Sequence, residues 1–537
     1  MERLGLTRGG SKWTAAAASV WIQSSCGASY AFGIYSPVLK SSQSYDQSTL
    51  DTVSVFKDIG ANAGILSGLL YSSVSNSRSP PRRGGPWLVL LAGAAQCFVG
   101  YFFMYLAVVG AIPRPPVAVM SIFMFIAAHS QTFFNTANVV TAVLNFPDYG
   151  GTVVGIMKGF LGLSGAMLIQ LYQTLFNNNN PSALILMLAL LPTAITVTLM
   201  CSVRVHRTSA TTNDDDEKKR LNTFLIVSMA IATYLLCLRI LEDAFVFPRW
   251  VHILSFVGLL ALLSSPLSVA TKAQGTSSSY AETLLLNDSN IANRVKRSDV
   301  VVVVEEMNVL KAMCTLNFWL LFVSMVCGMG SGLATVNNIS QIGESFGYKA
   351  SQRSTMVSLW SIWNFLGRLG AGYVSDIALL KRGWPRPLFV ALSLAAMSAG
   401  HVIIASGFPG NLYVGTMLAG ICYGSQWSLM PTITKEIFGV LHMGTIFNTI
   451  AIASPVGSYV LSVRVIGYLY DKEASRGHKS SCFGTRCFML SYFILASVTL
   501  FGFLVALSLF IKTRRFYSQA LLEVRRAVSQ WRIKNSK

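Results

Sequence analysis

Apolar residues run through this chain in long blocks, parted by short polar or basic segments. A membrane-spanning helix needs about 20 mostly apolar residues. Such runs fall at 13–39, 50–74, 86–110, 117–144, 150–176 and 181–203, then at 221–241 and 249–269. Six more follow at 313–340, 354–378, 386–407, 411–434, 440–468 and 488–511. The pattern predicts an all-α polytopic membrane protein of about fourteen spanning helices, grouped six, two and six. Helices are the only option, because a lipid-facing backbone must satisfy its own hydrogen bonds and the runs are too long for barrel strands.

The connections set the expected orientation. With the N-terminus in the cytosol, the inner segments hold 28 Lys and Arg, the outer loops nine, and the spans five. Basic residues are retained on the cytosolic side of a membrane, so both ends are expected there. The resulting division is a cytosolic lead-in at 1–12, a six-helix half at 13–204 and a linker at 205–220. A two-helix hairpin at 221–269, a cytosolic loop at 270–312, a second half at 313–511 and a basic tail at 512–537 follow. The loop contains Ser277, Ser278 and Ser279 as candidate modification sites, although a plain tether explains it as well.

Matches between the halves suggest a duplication. Gln131 in "SQTFFNT" aligns with Gln426 in "SQWSLMPT", Thr152 with Thr445, and Ser48 with Ser354, in the same order in both blocks. Two same-orientation halves are therefore expected.

Composition agrees. Of 537 residues, 53% are hydrophobic and 12% charged, too little polarity for a soluble domain. The net charge of +20 follows largely from the inner loops and tail, which suit an anionic inner leaflet. No basic, aromatic-rich soluble module points to nucleic acid. The nine cysteines show no metal-ligand spacing, and seven lie in or beside apolar runs. Cys482 and Cys487, in "CFGTRC", fall in a polar loop and can pair if it faces an oxidising compartment. No metal or cofactor is expected.

One stretch carries a signature. "LGRLGAGYVSDIALLKRGWPRP", Leu366 to Pro387, begins as a small-residue helix and ends in a basic turn. Gly367, Gly370, Ala371 and Val374 recur at helical spacing and predict a face that admits a close neighbour. "GRLGAGYVSD" resembles the loop signature that follows the second helix of each half in the major facilitator superfamily. The resemblance implies a conformational latch of Gly367, Arg368, Gly372, Asp376, Lys381, Arg382 and Arg386, with the acid at the positive end of a neighbouring helix. Ile377 stands where the family usually has arginine, and the first half has Ser72 in place of the acid, so a one-sided latch is expected. "KWTAAAASVWIQSSCGASYAFGIYSPVLK", "VFKDIGANAGILSGLLY" and "GTVVGIMKGFLGLSGA" resemble the plant nodulin-like, nuclear-fusion-defective-type branch. That branch implies the facilitator fold and leaves the substrate open.

In such an architecture solute binds near the midplane between the halves. Gln131, Asn135 and Asn138 share one helix face, and His129 points away. Gln426 and Trp427 sit at matching depth in the second half, and Asn337, Asn338 and Gln341 end its first helix. The first helix of the chain adds Gln23, Ser24, Ser25 and Tyr30. Amides without acids favour a neutral or anionic organic solute over a metal cation, and the same amides can bridge helices. Lys158, on the face of Gly151, Gly155, Gly162 and Gly165, is expected to meet the anionic end of a solute. Asp58, beside Lys57, is expected either to counter Lys158 or to carry a coupling proton; a structural Lys158–Asp58 pair is the bland alternative. Arg239 is expected to snorkel outward with Glu242 and Asp243.

No GxxxxGK[ST] loop and no catalytic set is present, which argues against ATP-driven transport and against an enzyme. The leading expectation is a monomeric secondary transporter of a small organic solute working by alternating access, with proton coupling as an option. A facilitator-fold receptor or scaffold in organelle or nuclear-membrane processes, with little flux, is the alternative. Plasma membrane and endomembrane are not separable by sequence.

Overall fold

The computed structural model describes residues 11–75, 85–176, 181–206, 214–245, 247–285, 306–408, 410–476 and 482–535. The lead-in before Ser11, the basic turn 76–84 and the linker 286–305 lie outside the described residues. The first predicted span is broken. It consists of α1 (Lys12–Ser25), a 3₁₀ turn at Ala28–Ala31 and α2 (Phe32–Gln43). The second is also broken, into α3 (Gln47–Asn62) and α4 (Ile65–Ser75). At that break the Ala63 carbonyl meets Nε2 of His129 at 3.1 Å, while Nδ1 of His129 lies 2.8 Å from Gln96 Oε1. A buried imidazole thus satisfies a group that the interrupted helix leaves unpaired.

The first half continues through α5 (Pro86–Val108), α6 (Val117–Asn145), α7 (Gly150–Phe176) and α8 (Pro181–Leu199). The hairpin is α9 (Asp214–Ala244) and α10 (Arg249–Leu285). The second half contains α11 (Val309–Met313), α12 (Leu316–Ser345), α13 (Ala350–Arg382), α14 (Arg386–Ser406) and α15 (Asn411–Phe438). It ends in α16 (Met443–Ala451), α17 (Ala453–Ser458), a π-helical stretch Tyr459–Gly467, α18 (Tyr468–Arg476) and the long α19 (Arg486–Asn535).

Ten helical segments among the described residues are long and apolar enough to cross a membrane. The runs 13–39, 50–74, 354–378 and 411–434 are not among them. The first two are interrupted; α13 and α15 are continuous but hold buried polar residues, Arg368 and Asp376 on one and Gln426 and Thr432 on the other. Those residues lower mean hydropathy where helices face one another instead of lipid.

α10 runs on to Leu285, so residues 270–285, read from sequence as loop, are helical. Ser277, Ser278 and Ser279 fall on that extension, and their side chains are outside those described. The hairpin docks on the first half: Gln170 Nε2 donates to Ser255 Oγ at 2.8 Å, Lys12 pairs with Glu217 at 2.5 Å, and Trp13 packs on Phe224 at 5.8 Å. Arg239 pairs with Glu242 at 3.2 Å.

Candidate functional site: the cavity between the halves

The halves meet along two helix pairs that the repeat makes equivalent, α7 with α13 and α4 with α16. Glycines permit both approaches. A Cβ at Gly372 would collide with the Gly151 carbonyl, and one at Gly68 with the backbone of Thr445. The expected close face on α13 needs correction. Gly367 packs on the Ile421 carbonyl of α15, but a Cβ at Gly370 would meet open space and Val374 is exposed. Gly367 and Gly372 make the contacts.

At the end of the α7–α13 seam, Asp376 meets the N-terminus of α7. Its carboxylate accepts from the Gly151 N–H at 3.1 Å, the Thr152 N–H at 2.5 Å and Thr152 Oγ1 at 2.6 Å. Unpaired amides and the helix dipole both favour an anion there. Arg386 Nη2 donates to Asp376 at 2.6 Å, its Nη1 to Ser375 at 2.5 Å and its Nε to Glu436 at 2.6 Å. Tyr517 on α19 then donates to Glu436 at 2.7 Å, which puts the tail helix and the Asp376 turn at one end of the bundle. In the equivalent seam Ser72 and Thr445 hydroxyls lie 3.4 Å apart. Ser72 stands where the acid would be on that side, and among the described residues no arginine joins it.

Beyond these seams the halves part around a cavity of about 1150 Å³, which reaches Asp471 and the π-helical stretch. It exceeds the usual range of small-molecule pockets, about 300–1,000 Å³. Its inner end is cationic. Lys158 is eight residues along α7 from Gly150, and Arg368 is eight before Asp376 on α13, so each lies about 12 Å from the Asp376 contact. Arg368, only 1% exposed, donates to Asn364 at 2.9 Å, across to the Lys158 carbonyl at 2.6 Å, and to Tyr30 Oη at 3.3 Å. Lys158 Nζ sits 4.8 Å from the centre of the Trp427 ring and 5.3 Å from that of Phe447. Both rings belong to the other half, so the contacts are cation–π bridges between halves.

Two family models match the chain: "Nodulin-like" over residues 12–271 and "NFD4, C-terminal domain" over 299–519. Residues 12–271 match the nodulin-like family. Protein NUCLEAR FUSION DEFECTIVE 4 of Arabidopsis thaliana is 25% identical over 551 residues, covering 94% of this chain and 89% of the relative. A probable transporter, MCH1 of Yarrowia lipolytica, is 29% identical over 175 residues, 31% of this chain and 34% of that protein. Among solved structures, the proton:xylose symporter XylE of the major facilitator superfamily bound to 6-bromo-6-deoxy-D-glucose matches with a TM-score of 0.55. That match has 11% identity and covers 92% of this chain and 94% of that one. The fold is the major facilitator fold.

On this nodulin-like scaffold the predicted residues separate into groups. Gln131, Asn135, Lys158, Trp427, Asn337 and Asn338 line the cavity. Gln131 accepts from Ser29 Oγ at 2.5 Å, and Asn338 donates to Ser462 Oγ at 2.7 Å. Asn138 and Gln426 do not line it. Both are fully buried, Asn138 has no hydrogen-bond partner among the described residues, and Gln426 packs against Gly328 and Met397. A shared face was a sound inference for Gln131 and Asn135, but Asn138 lies two turns beyond Gln131, where α6 is buried within its own half. Asp58 bonds to Lys57 at 3.1 Å, not to Lys158; adjacent side chains converge because both turn to the same cavity wall.

Arg368 moves group altogether: the latch reading put it with Asp376, whereas it belongs to the cavity with Lys158. Arg382 lies over Trp384 at 5.1 Å and takes no part in the Asp376 cluster. Lys381 lines a small cavity of about 70 Å³ beside Asp376, together with Lys218 and Asn222 of α9. Asn448 was missed by sequence reading. Its Nδ2 donates to Thr136 at 2.7 Å across the α4–α16 side, and the glycine at position 64, whose Cβ would strike it, was the available signal. Cys482 and Cys487 are joined, and the bridge sits at the cavity-mouth end, where Cys482 N–H donates to Tyr470 Oη at 3.2 Å.

Proposed function

We propose that the protein is a secondary transporter that moves a small organic solute, anionic or neutral, through the cavity by alternating access. One observation carries this reading. The cavity lies between two equivalent halves and is sealed at one end by the Asp376 cluster, so rocking the halves would close the mouth and open the sealed end. The sealed end is cytosolic in this reading, and the start of α1 at Lys12 and Tyr517 of α19 lie at that end. The bonded cysteines at the mouth fit an oxidising compartment there. Asp376 and Arg386 act as the latch, and the Lys57–Asp58 pair at the wall is the candidate coupling site. The driving force is the solute's own gradient or a proton gradient.

Purified protein in proteoliposomes is expected to take up at least one member of a panel of organic acids, amino acids and sugars under an imposed pH gradient. A folded protein that moves none of them would favour the receptor or scaffold reading, with which the relative's name, NUCLEAR FUSION DEFECTIVE 4, is in keeping.

A further inference from the structure

We propose that Lys158 and Arg368 form one carboxylate-binding site straddling the two halves, so that the solute is a polar organic acid. This rests on the transport reading and narrows it. Buried cations need counter-charges, since an isolated charge inside a membrane protein is costly and marks function. Neither cation has a carboxylate partner among the described residues. Three Arg368 N–H groups are engaged, by Asn364, the Lys158 carbonyl and Tyr30, which leaves two of its five unclaimed. Among the described residues the Lys158 ammonium meets two ring faces and no hydrogen-bond acceptor. The buried Trp427 indole N–H, near the Tyr423 side chain, makes no hydrogen bond of normal geometry among the described residues. Donors without partners among the described residues therefore gather at the inner end of the cavity.

The charge of the whole wall agrees. Among the described residues Lys57, Lys158, Arg368 and Arg464 line the cavity against Asp58 and Asp471, and Asp58 is already committed to Lys57. A cationic or metal solute would meet repulsion at the inner end. Away from these two cations the wall also carries uncharged amides: Asn337 and Gln341 face the cavity with no hydrogen-bond partner among the described residues. Those surfaces fit a carboxylate at the inner end and a hydroxylated or amide-bearing body away from it. Because Lys158 comes from α7 and Arg368 from α13, a bound carboxylate would draw the two halves together where they already touch.

The test is thermal stabilisation of the purified full-length protein by gluconate and malate, with glucose as the neutral control and choline as the cationic one. At least one acid is expected to raise the unfolding midpoint while glucose and choline do not. Lys158→Gln and Arg368→Gln are each expected to weaken that response at least tenfold, with Lys158→Arg retaining it. In the absence of any acid, Lys158→Gln should unfold at a higher temperature than the wild type, because it removes an unpaired buried charge; a structural lysine would give the opposite shift. If a glutamine variant does not fold, Trp427→Phe keeps both cations, removes the indole donor, and should still weaken the acid response several-fold. Equal responses in the wild type and both glutamine variants, or stabilisation by glucose or choline alone, would overturn the site. Binding without flux would instead overturn transport and leave the site standing, and flux of a neutral sugar without acid binding would do the reverse.

Discussion

Asp376→Asn is expected to lower the unfolding midpoint and reduce solute uptake at least tenfold, the largest single effect anticipated in this chain. The carboxylate accepts three hydrogen bonds from the start of α7 and a fourth from Arg386, and it is 2% exposed. Removing one partner of such a buried pair typically costs about 3–5 kcal/mol, because the remaining charge has no water to return to. Here Arg386 keeps Glu436, which places the expected loss at the lower end. The comparison that isolates the charge is Thr152→Val. It removes one hydroxyl donor and leaves both backbone donors in place, so a loss of about 1.5–3 kcal/mol is expected, in line with a hydrogen bond to a charged group. Calorimetry on both variants, with uptake measured alongside, checks the ranking. Should Asp376→Asn unfold and transport like the wild type, the cluster contributes nothing to holding the halves.

Gly372→Val is expected to come second, and its contrast with Gly370→Val makes it informative. The two glycines are two residues apart on α13, yet a Cβ at position 372 would run into the Gly151 carbonyl, whereas one at position 370 would meet nothing within 4 Å. The obstruction is backbone, at the helix end that Asp376 holds, so relief requires α7 and α13 to separate. Uptake by Gly372→Val should be lost, with the sealed end forced open. Gly370→Val should stay within about 0.5 kcal/mol of the wild type, as exposed substitutions away from special features usually do. Equal behaviour of the two variants in uptake and thermal unfolding would refute close helix contact as the reason for Gly372.

Much of this arrangement was legible in the sequence, for physical reasons that also explain what was not. Hydrophobic run length depends on the bilayer and needs no tertiary information, so ten of the fourteen expected spans, the hairpin's two among them, could be read directly. Asp376 was legible because a lone acid beside a basic turn in an apolar chain has few uses. Arg368 was not. Its position in the same motif suggested the same role, but eight residues of α-helix carry it about 12 Å away from Asp376 and into the cavity. Asn138 and Gln426 were misplaced for a related reason: helical periodicity gives the face of a residue, not the depth at which a neighbouring helix covers it. The partner of the Ala63 carbonyl at the break comes from His129 on another helix, which no local pattern encodes. The Lys57–Asp58 pair likewise depends on side-chain torsions, not on the angle between adjacent positions.

The most direct test of alternation is a pair of spin-label distances in the purified protein. One pair, at Val55 and Val357, lies on opposite walls of the cavity; the other, at Tyr149 and Leu380, flanks the Asp376 end. On passing from wild type to Asp376→Asn, the first distance should shorten while the second lengthens. If both distances stay fixed, or change in the same direction, the halves do not rock about this cavity.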